Sequence, residues 1–459
     1  MSGKSTVVGA LACQRDSFKF NDFKTAVVSC YEQSKKPASK KKGKAAEEVE
    51  LPVYLIELKD SILFPEGGGQ PSDTGILSYE VNDETIEVPV FYVSRDGLYA
   101  KHHVNQPIEV GTQVTIEVNK DRRLDLMQQH TGQHLLSAIL EQKYRLETVS
   151  WSMSVPTDID SDGDLNDYLN FVELTRKLTE KEIDYLNDEI NQYIILIPQP
   201  IKVEETKLKE LDSSSKIPDD YDFANGGIVR TIHIGSLDSN QCCGTHLSNT
   251  SQLGSIMVIK SQTTVRSINS RLYFTCGSRV YKYGSEANNL LTVTKQILSS
   301  SDTQIPEKTQ QLSSQLSNKS KSERYWMMET AVNDSNEIMA KFQNGSLSSS
   351  GINNISLFRE DYCTQEYLSR IHKELTNRLL KDKTSYVIVI GGFDKKTQVA
   401  SLMVLSDSGD TIQETVNIFN EALPNIKGGG GSKGGKWQGK ATNISVNNWK
   451  SLTESFIQE

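Results

Sequence analysis

His130 and His134 stand four residues apart, and on a helix that spacing projects both imidazoles from one face. Far later in the chain, Cys242-Cys243-Gly244-Thr245-His246 offers a thiol and a third imidazole at the same interval. A thiolate with three imidazoles is a borderline-soft donor set suited to zinc. Neither half is specific alone, but together they take three of the seven histidines. One Zn2+ held by His130, His134, Cys242 and His246 is therefore expected. A metalloprotease helix would need glutamate after the first histidine, where Thr131 stands. A zinc finger would close a far shorter loop. The ion must join two distant elements, which implies a cleft.

A third segment, Phe64-Pro65-Glu66-Gly67-Gly68-Gly69-Gln70-Pro71-Ser72-Asp73-Thr74-Gly75, carries glycines that permit positive φ and close approach of another chain segment. The stretch Gly430 to Lys436 has the spacing of a phosphate-binding loop, yet Trp437 replaces the serine or threonine that would hold magnesium. An ATPase is not supported.

Chemistry-bearing residues need elements to hold them. From Phe18 to Val118 short alternating runs such as Val53 to Ile56, Thr85 to Val90 and Val114 to Val118 are broken by Asn82-Asp83 and Asp96-Gly97. This pattern predicts a small β-barrel or sandwich. Between Arg122 and Tyr144 the apolar residues Leu124, Met127, Leu135, Ile139 and Leu140 line one broad face without a proline, which predicts the helix that carries His130 and His134. Thr179 with Glu182 forms a capping box, and Leu178 with Ile183 a hydrophobic staple, so a second helix should run to about Ile197. Strands are expected at Thr148 to Val155, Tyr168 to Leu174, Ile228 to Ile234, Ile256 to Ser261 and Arg271 to Cys276.

The fold class expected is α+β: an N-terminal β-barrel domain with a lysine-rich insertion (1–120), a central zinc-binding α+β domain (121–282), a helical connector (283–345) and a C-terminal α/β domain with a glycine-rich loop (346–459). In the last, Tyr386 to Gly392 and Val399 to Leu405 read as buried strands and Thr411 to Leu423 as a helix. The Lys427 to Lys440 stretch reads either as a glycine-lysine loop that approaches a phosphate backbone and offers Trp437 for stacking, or as a flexible surface loop. His102 and His103 read first as part of a solvated loop and second as residues that approach the cleft from the barrel.

Composition bounds the rest. The chain of 459 residues exceeds one core, and 36% hydrophobic with 24% charged residues fits a globular protein. No apolar run reaches the roughly 18 residues needed to span a bilayer. Secretion is not expected, and six cysteines, two of them adjacent, fit a reducing cytoplasm rather than a disulfide scaffold. A net charge of −9 excludes a uniformly basic nucleic-acid coat but leaves room for a local basic face. The lysines at 35, 36, 40, 41, 42 and 44 read first as a solvated loop and second as a phosphate contact.

Phe64 to Gly75, His130-Thr131-Gly132-Gln133-His134 and Cys242 to His246 together resemble the signatures of the alanyl-tRNA synthetase editing domain and its free-standing, AlaX-type relatives. Arg271 to Gly277 is similar to the strand that closes that domain. Cys13-Gln14-Arg15-Asp16-Ser17 and the doubled Cys242-Cys243 resemble the long eukaryotic subgroup, and the glycine-lysine tail resembles the C-terminal domain shared with the synthetases.

The resemblance implies hydrolysis of the ester that joins serine, and perhaps glycine, to the tRNA for alanine. Because no aminoacylation domain precedes the barrel, the resemblance implies action in trans, as a monomer or homodimer and away from membranes. Synthetases usually have glycine where Cys243 stands; Cys242 keeps the interval to His246 and is the expected ligand. Gln133 and Thr131 are the expected contacts of the serine hydroxyl or the attacking water, and Gly67, Gly68, Gly69 and Gln70 are expected to border the substrate. No covalent nucleophile is expected. The competing expectation is a non-catalytic tRNA-binding adaptor whose zinc is structural.

Overall fold

The computed structural model describes residues 4–33, 52–155, 164–207, 228–266, 268–344, 352–360, 363–379, 385–431, 433 and 435–456. The lysine run falls outside the described residues. The chain forms two compact units, Met1–Thr294 and Lys295–Glu459.

In the first unit a short helix, α1 (Ala12–Arg15), precedes seven strands: β1 (Phe23–Glu32), β2 (Tyr54–Leu58), β3 (Gly75–Val81), β4 (Glu84–Val90), β5 (Tyr92–Asp96), β6 (Tyr99–Val104) and β7 (Gln113–Val118). They make one antiparallel sheet in the order β4-β3-β7-β1-β2-β6-β5. Alternating inward residues such as Val27, Ile56, Leu77, Val88 and Ile116 fill its concave side. The sheet curls, and between β4 and β5 the amide of Phe91 donates to the His103 carbonyl of β6 at 3.2 Å. His102 and His103 therefore do not lie in a solvated loop. They sit buried on β6, with His102 bonded to the Ile56 carbonyl at 3.0 Å and Ser61 Oγ at 2.8 Å, and His103 to Ser94 Oγ at 2.8 Å.

The long helix α2 (Lys120–Tyr144) starts where Asn119 accepts the Arg122 amide and stops where Arg145 adopts the left-handed conformation. Strands β8 (Thr148–Ser152) and β9 (Asn170–Leu174) follow, then α3 (Glu180–Ile195) with the Thr179/Glu182 capping box in place and Leu178 and Ile183 both buried. Strands β10 (Ile201–Lys207), β11 (Ile228–Ile234) and β12 (Asp238–Gln241) form a three-stranded sheet. Strands β13 (Ile256–Val265) and β14 (Asn269–Cys276) complete a four-stranded sheet ordered β13-β14-β9-β8. Leu135, Ile139, Ile183, Leu186, Ile232, Leu253 and Phe274 share one core, in which α2 and α3 pack on the four-stranded sheet and α2 also meets β12. β13 runs four residues beyond its expected end, paired along β14.

Helix α4 (Ser278–Leu298) leads out of the first unit, and α5 (Ile305–Asn344) opens the second. Only the later half of α5 buries an apolar face, through Met327, Ala331, Ile338 and Phe342. Strands β15 (Asn353–Glu360), β16 (Tyr386–Asp394), β17 (Val399–Ser406), β18 (Lys427–Gly430) and β19 (Gly435–Thr442) form a mixed sheet ordered β15-β16-β17-β19-β18, with β15 and β16 parallel. Helices α6 (Gln365–Leu379), α7 (Gly409–Ala422) and α8 (Val446–Ser455) cover it. On β16, Ile388 and Ile390 face the α5 and α6 side, while Val389 packs with the residues of α7 and α8.

Here one expectation is corrected. Lys427 to Lys440 is not a loop along most of its length but an antiparallel strand pair. Trp437 is buried, with its ring 5.5 Å from that of Phe419, and has no open face for stacking.

Candidate metal centre and cleft

Helix α2 presents His130 and His134 on one face, and the turn after β12 brings Cys242 and His246 against it. The three histidines are buried and Cys242 is half-buried, and one donor atom from each lies within 4.8 Å of all the others. Cys242 Sγ is 3.4 Å from His130 Nε2 and 3.3 Å from His246 Nε2. Cys243 takes no part in the cluster. Its Sγ packs on the glycine turn, where a Cβ on Gly68 would lie only 2.9 Å away.

Each imidazole is held from behind. Nδ1 of His130 meets Gln70 Oε1 at 2.8 Å, Nδ1 of His134 meets Asp238 Oδ2 at 3.2 Å, and Nδ1 of His246 meets Thr131 Oγ1 at 3.4 Å. An amide oxygen and a carboxylate only accept, so His130 and His134 carry their proton on Nδ1 and present Nε2. That is the arrangement metal-binding histidines adopt when a protein oxygen fixes the tautomer. Burial by itself would raise the Cys242 thiol, but the imidazoles of His130, His246 and His134 around it hold it well below its ordinary value. Burial pushes His246 down to about 3, which keeps it neutral. For His134 burial works against the charge, yet Asp238 and Cys242 together raise the ring to about 9. A thiolate and three imidazoles, two of them with Nδ1 held by an accepting protein oxygen, fit a zinc ion.

The glycine turn closes this shell. Gln70 is fully buried, and besides His130 its side chain accepts the Thr245 amide at 3.0 Å and donates to Thr245 Oγ1 at 2.8 Å. Thr131 is also fully buried and accepts the Leu247 amide at 3.1 Å. Both residues thus stand behind the ligands, tying α2 and the glycine turn to the Cys242–His246 loop. Gly68 and Gly69 both have positive φ, and a Cβ on Gly69 would lie 2.6 Å from the Trp151 ring. Asp73 of the same segment forms a fully buried ion pair with Arg123 of α2 and accepts the Phe64 amide at 2.6 Å.

A cleft of about 450 Å³ opens beside the cluster, lined by His130, His134 and Cys242 and by Gly68, Gln133, Ser137, Glu141, Thr148, Trp151 and Gln241. Of the expected substrate contacts, Gln133 and Gly68 border this space. Trp151 leans on His130 with ring centroids 5.0 Å apart.

Several site residues escaped the sequence reading. Ser137 and Glu141 continue the His134 face at i+3 and i+7, a signal present in the spacing. Asp238, Arg230 and Gln14 carried no such signal. Arg230 donates to the Cys243 and Gly244 carbonyls at 2.9 and 2.7 Å, and Gln14 Nε2 donates to the Cys243 carbonyl at 2.7 Å. The opening Cys13-Gln14-Arg15 motif therefore braces the ligand loop.

A curled antiparallel sheet joined to a histidine-bearing helix and a cysteine–histidine loop makes an α+β module with a candidate metal centre beside a cleft. Residues 229–273, from β11 into β14, match the family described as the threonyl and alanyl tRNA synthetase second additional domain. Over 455 residues the chain is 49% identical to alaX of Saccharomyces cerevisiae, provisionally named an alanyl-tRNA editing protein, across 97% of this chain and 96% of that one. It is 29% identical to alanyl-tRNA editing protein Aarsd1-B of Xenopus laevis, across 95% of each. An alanine–tRNA ligase of Caldivirga maquilingensis is 26% identical over 76% of this chain but only 38% of its own length. The chain belongs to the alanyl-tRNA editing protein family.

Proposed function

We propose that this chain is a hydrolase that removes serine, and glycine as a second substrate, from mischarged tRNA for alanine, working in trans on tRNA charged elsewhere. The observation that carries this reading is the buried His130, His134, Cys242 and His246 cluster beside an open cleft, in a chain whose relatives are named for alanyl-tRNA editing. The need is energetic: a pocket shaped for a methyl side chain rejects an added hydroxyl or a missing methylene only about 10–200-fold, so a second site must correct the errors.

An aminoacyl ester is already activated, so the chain needs chiefly to place water and hold the acyl group. Water adds to the carbonyl carbon, the carbon–oxygen bond to the ribose breaks, and the ribose hydroxyl leaves protonated while the amino acid departs as its acid. Gln133 borders the reacting group and orients it. Gly68 and Trp151 wall the cleft. His130, His134, Cys242 and His246 would hold zinc, which supplies there a positive charge that orders the cleft and polarises an adjacent oxygen. Cysteines that form no disulfide among the described residues suit a reducing compartment, and we assign this activity to the cytoplasm.

One observation favours a second reading. Four protein ligands close a tetrahedral zinc, as in structural sites, so a tRNA-binding adaptor would use the same cluster without turnover. Purified chain incubated with seryl-, glycyl- and alanyl-tRNA for the alanine acceptor separates the two. Selective release of serine supports editing; tRNA binding that leaves every ester intact supports the adaptor.

A further inference from the structure

Gln133 is the one amide of α2 that borders the cleft while its own nitrogen is tied down. Its Nε2 donates to Ser137 Oγ at 2.9 Å, and Ser137 Oγ lies 2.7 Å from Thr148 Oγ1. Ser137 sits one turn on along the same helix. Thr148 arrives from β8, the edge strand of the four-stranded sheet, by way of a bulge. Thr148 pairs with Leu174, but Ser150 pairs with Glu173 and Trp151 with Val172, so Val149 is the extra residue. In a regular strand residues 148 and 151 would face opposite sides. The bulge puts both on the side of Leu174 and Val172, towards α2. Among the described residues no group engages the Gln133 carbonyl oxygen.

We infer that Ser137 and Thr148 are positioning residues that turn the Gln133 amide so that its oxygen, an acceptor only, meets the substrate side chain. This rests on the editing reading above and specifies how that site separates serine from alanine. A fixed acceptor gains a hydrogen bond from a seryl hydroxyl and nothing from a methyl group, which leaves the correct ester unattacked. A freely rotating amide would offer either end and discriminate less. Gln241 also borders the cleft with an unengaged, buried oxygen, but no hydrogen bond fixes its amide among the described residues.

The test compares kcat/KM for seryl- and alanyl-tRNA of the alanine acceptor in full-length wild type and in Ser137→Ala, Thr148→Val, Thr148→Ser and Gln241→Leu, each with metal content and melting temperature recorded. Ser137→Ala and Thr148→Val are expected to lower the serine-to-alanine ratio about 5–10-fold, the value of one lost hydrogen bond. Thr148→Ser, which keeps the hydroxyl, holds the ratio. A merely structural role would slow both esters alike and leave the ratio unmoved, which overturns the inference. So does a ratio lost only in Gln241→Leu. A wild type that releases neither amino acid overturns the editing reading itself, whereas wild-type selectivity that persists in Ser137→Ala and Thr148→Val overturns the inference alone.

Discussion

Gln70 Oε1 lies 2.8 Å from Nδ1 of His130, so a residue of the glycine turn sets the tautomer of a ring on α2. Supporting contacts of this kind tune metal affinity about 10–100-fold. Gln70→Ala is expected to weaken zinc binding within that range while the chain stays folded, read by competition with a chromogenic chelator. Unchanged affinity would mean that packing alone orients His130.

Gly244 tests the same ring from the other side. A Cβ there would lie 2.3 Å from His130 Cε1 and 2.7 Å from Gln70 Oε1, too close for either to stay in place. Gly244→Ala is expected to displace His130 and cost most of the bound metal. Gly254→Ala makes the contrast: it has positive φ but open space around it, so it should cost about 1–3 kcal/mol of stability and no metal. Metal content after gel filtration, with thermal melts, checks both.

The Arg123–Asp73 pair is fully buried, and Arg123 also donates to the Ile62 carbonyl at 2.6 Å and the Ser17 carbonyl at 3.0 Å. Asp73→Ala leaves a buried guanidinium without its charge partner, for which the expected loss is about 3–5 kcal/mol. Chemical denaturation should show it as an early transition of the first unit. A loss below about 1 kcal/mol would mean that the backbone carbonyls suffice for Arg123.

The ligand residues were legible in sequence because helical spacing fixes direction: His130 and His134 share a face whatever surrounds them. The strands near Val53 and Thr85 were legible through short alternating runs, and the one near Val399 through a continuous apolar run that the structure buries on both faces. What spacing cannot encode is which side of a ligand a neighbour occupies. Gln70 and Thr131 were expected at the substrate and stand behind the rings, where their oxygens engage Nδ1. The tail misled because glycine and lysine favour loops, yet Trp437 buries itself on Phe419 and draws the segment into a sheet. His102 and His103 misled similarly, since a polar pair conceals that one ring is wholly enclosed.

That enclosed ring gives the chain a pH limit outside the candidate metal cluster. Burial pushes His102 down to about 4, its hydrogen bond to the Ile56 carbonyl only partly opposing this. In the unfolded chain a histidine titrates near its ordinary 6.5. The folded value is therefore the lower one, and the unfolded state binds more protons between the two. Stability is fully present above about 6.5 and falls with acidification until pH about 4, where the native ring also charges. With the ring wholly buried, the loss is on the order of 2–3 kcal/mol by pH 4.5. His102→Gln has no ring to protonate. It is expected to be less stable than wild type at pH 7.5 but to lose less on acidification, so the two melting curves converge towards pH 4.5. Parallel slopes for wild type and variant would place the acid sensitivity elsewhere, with His246 at the metal cluster the next group to test.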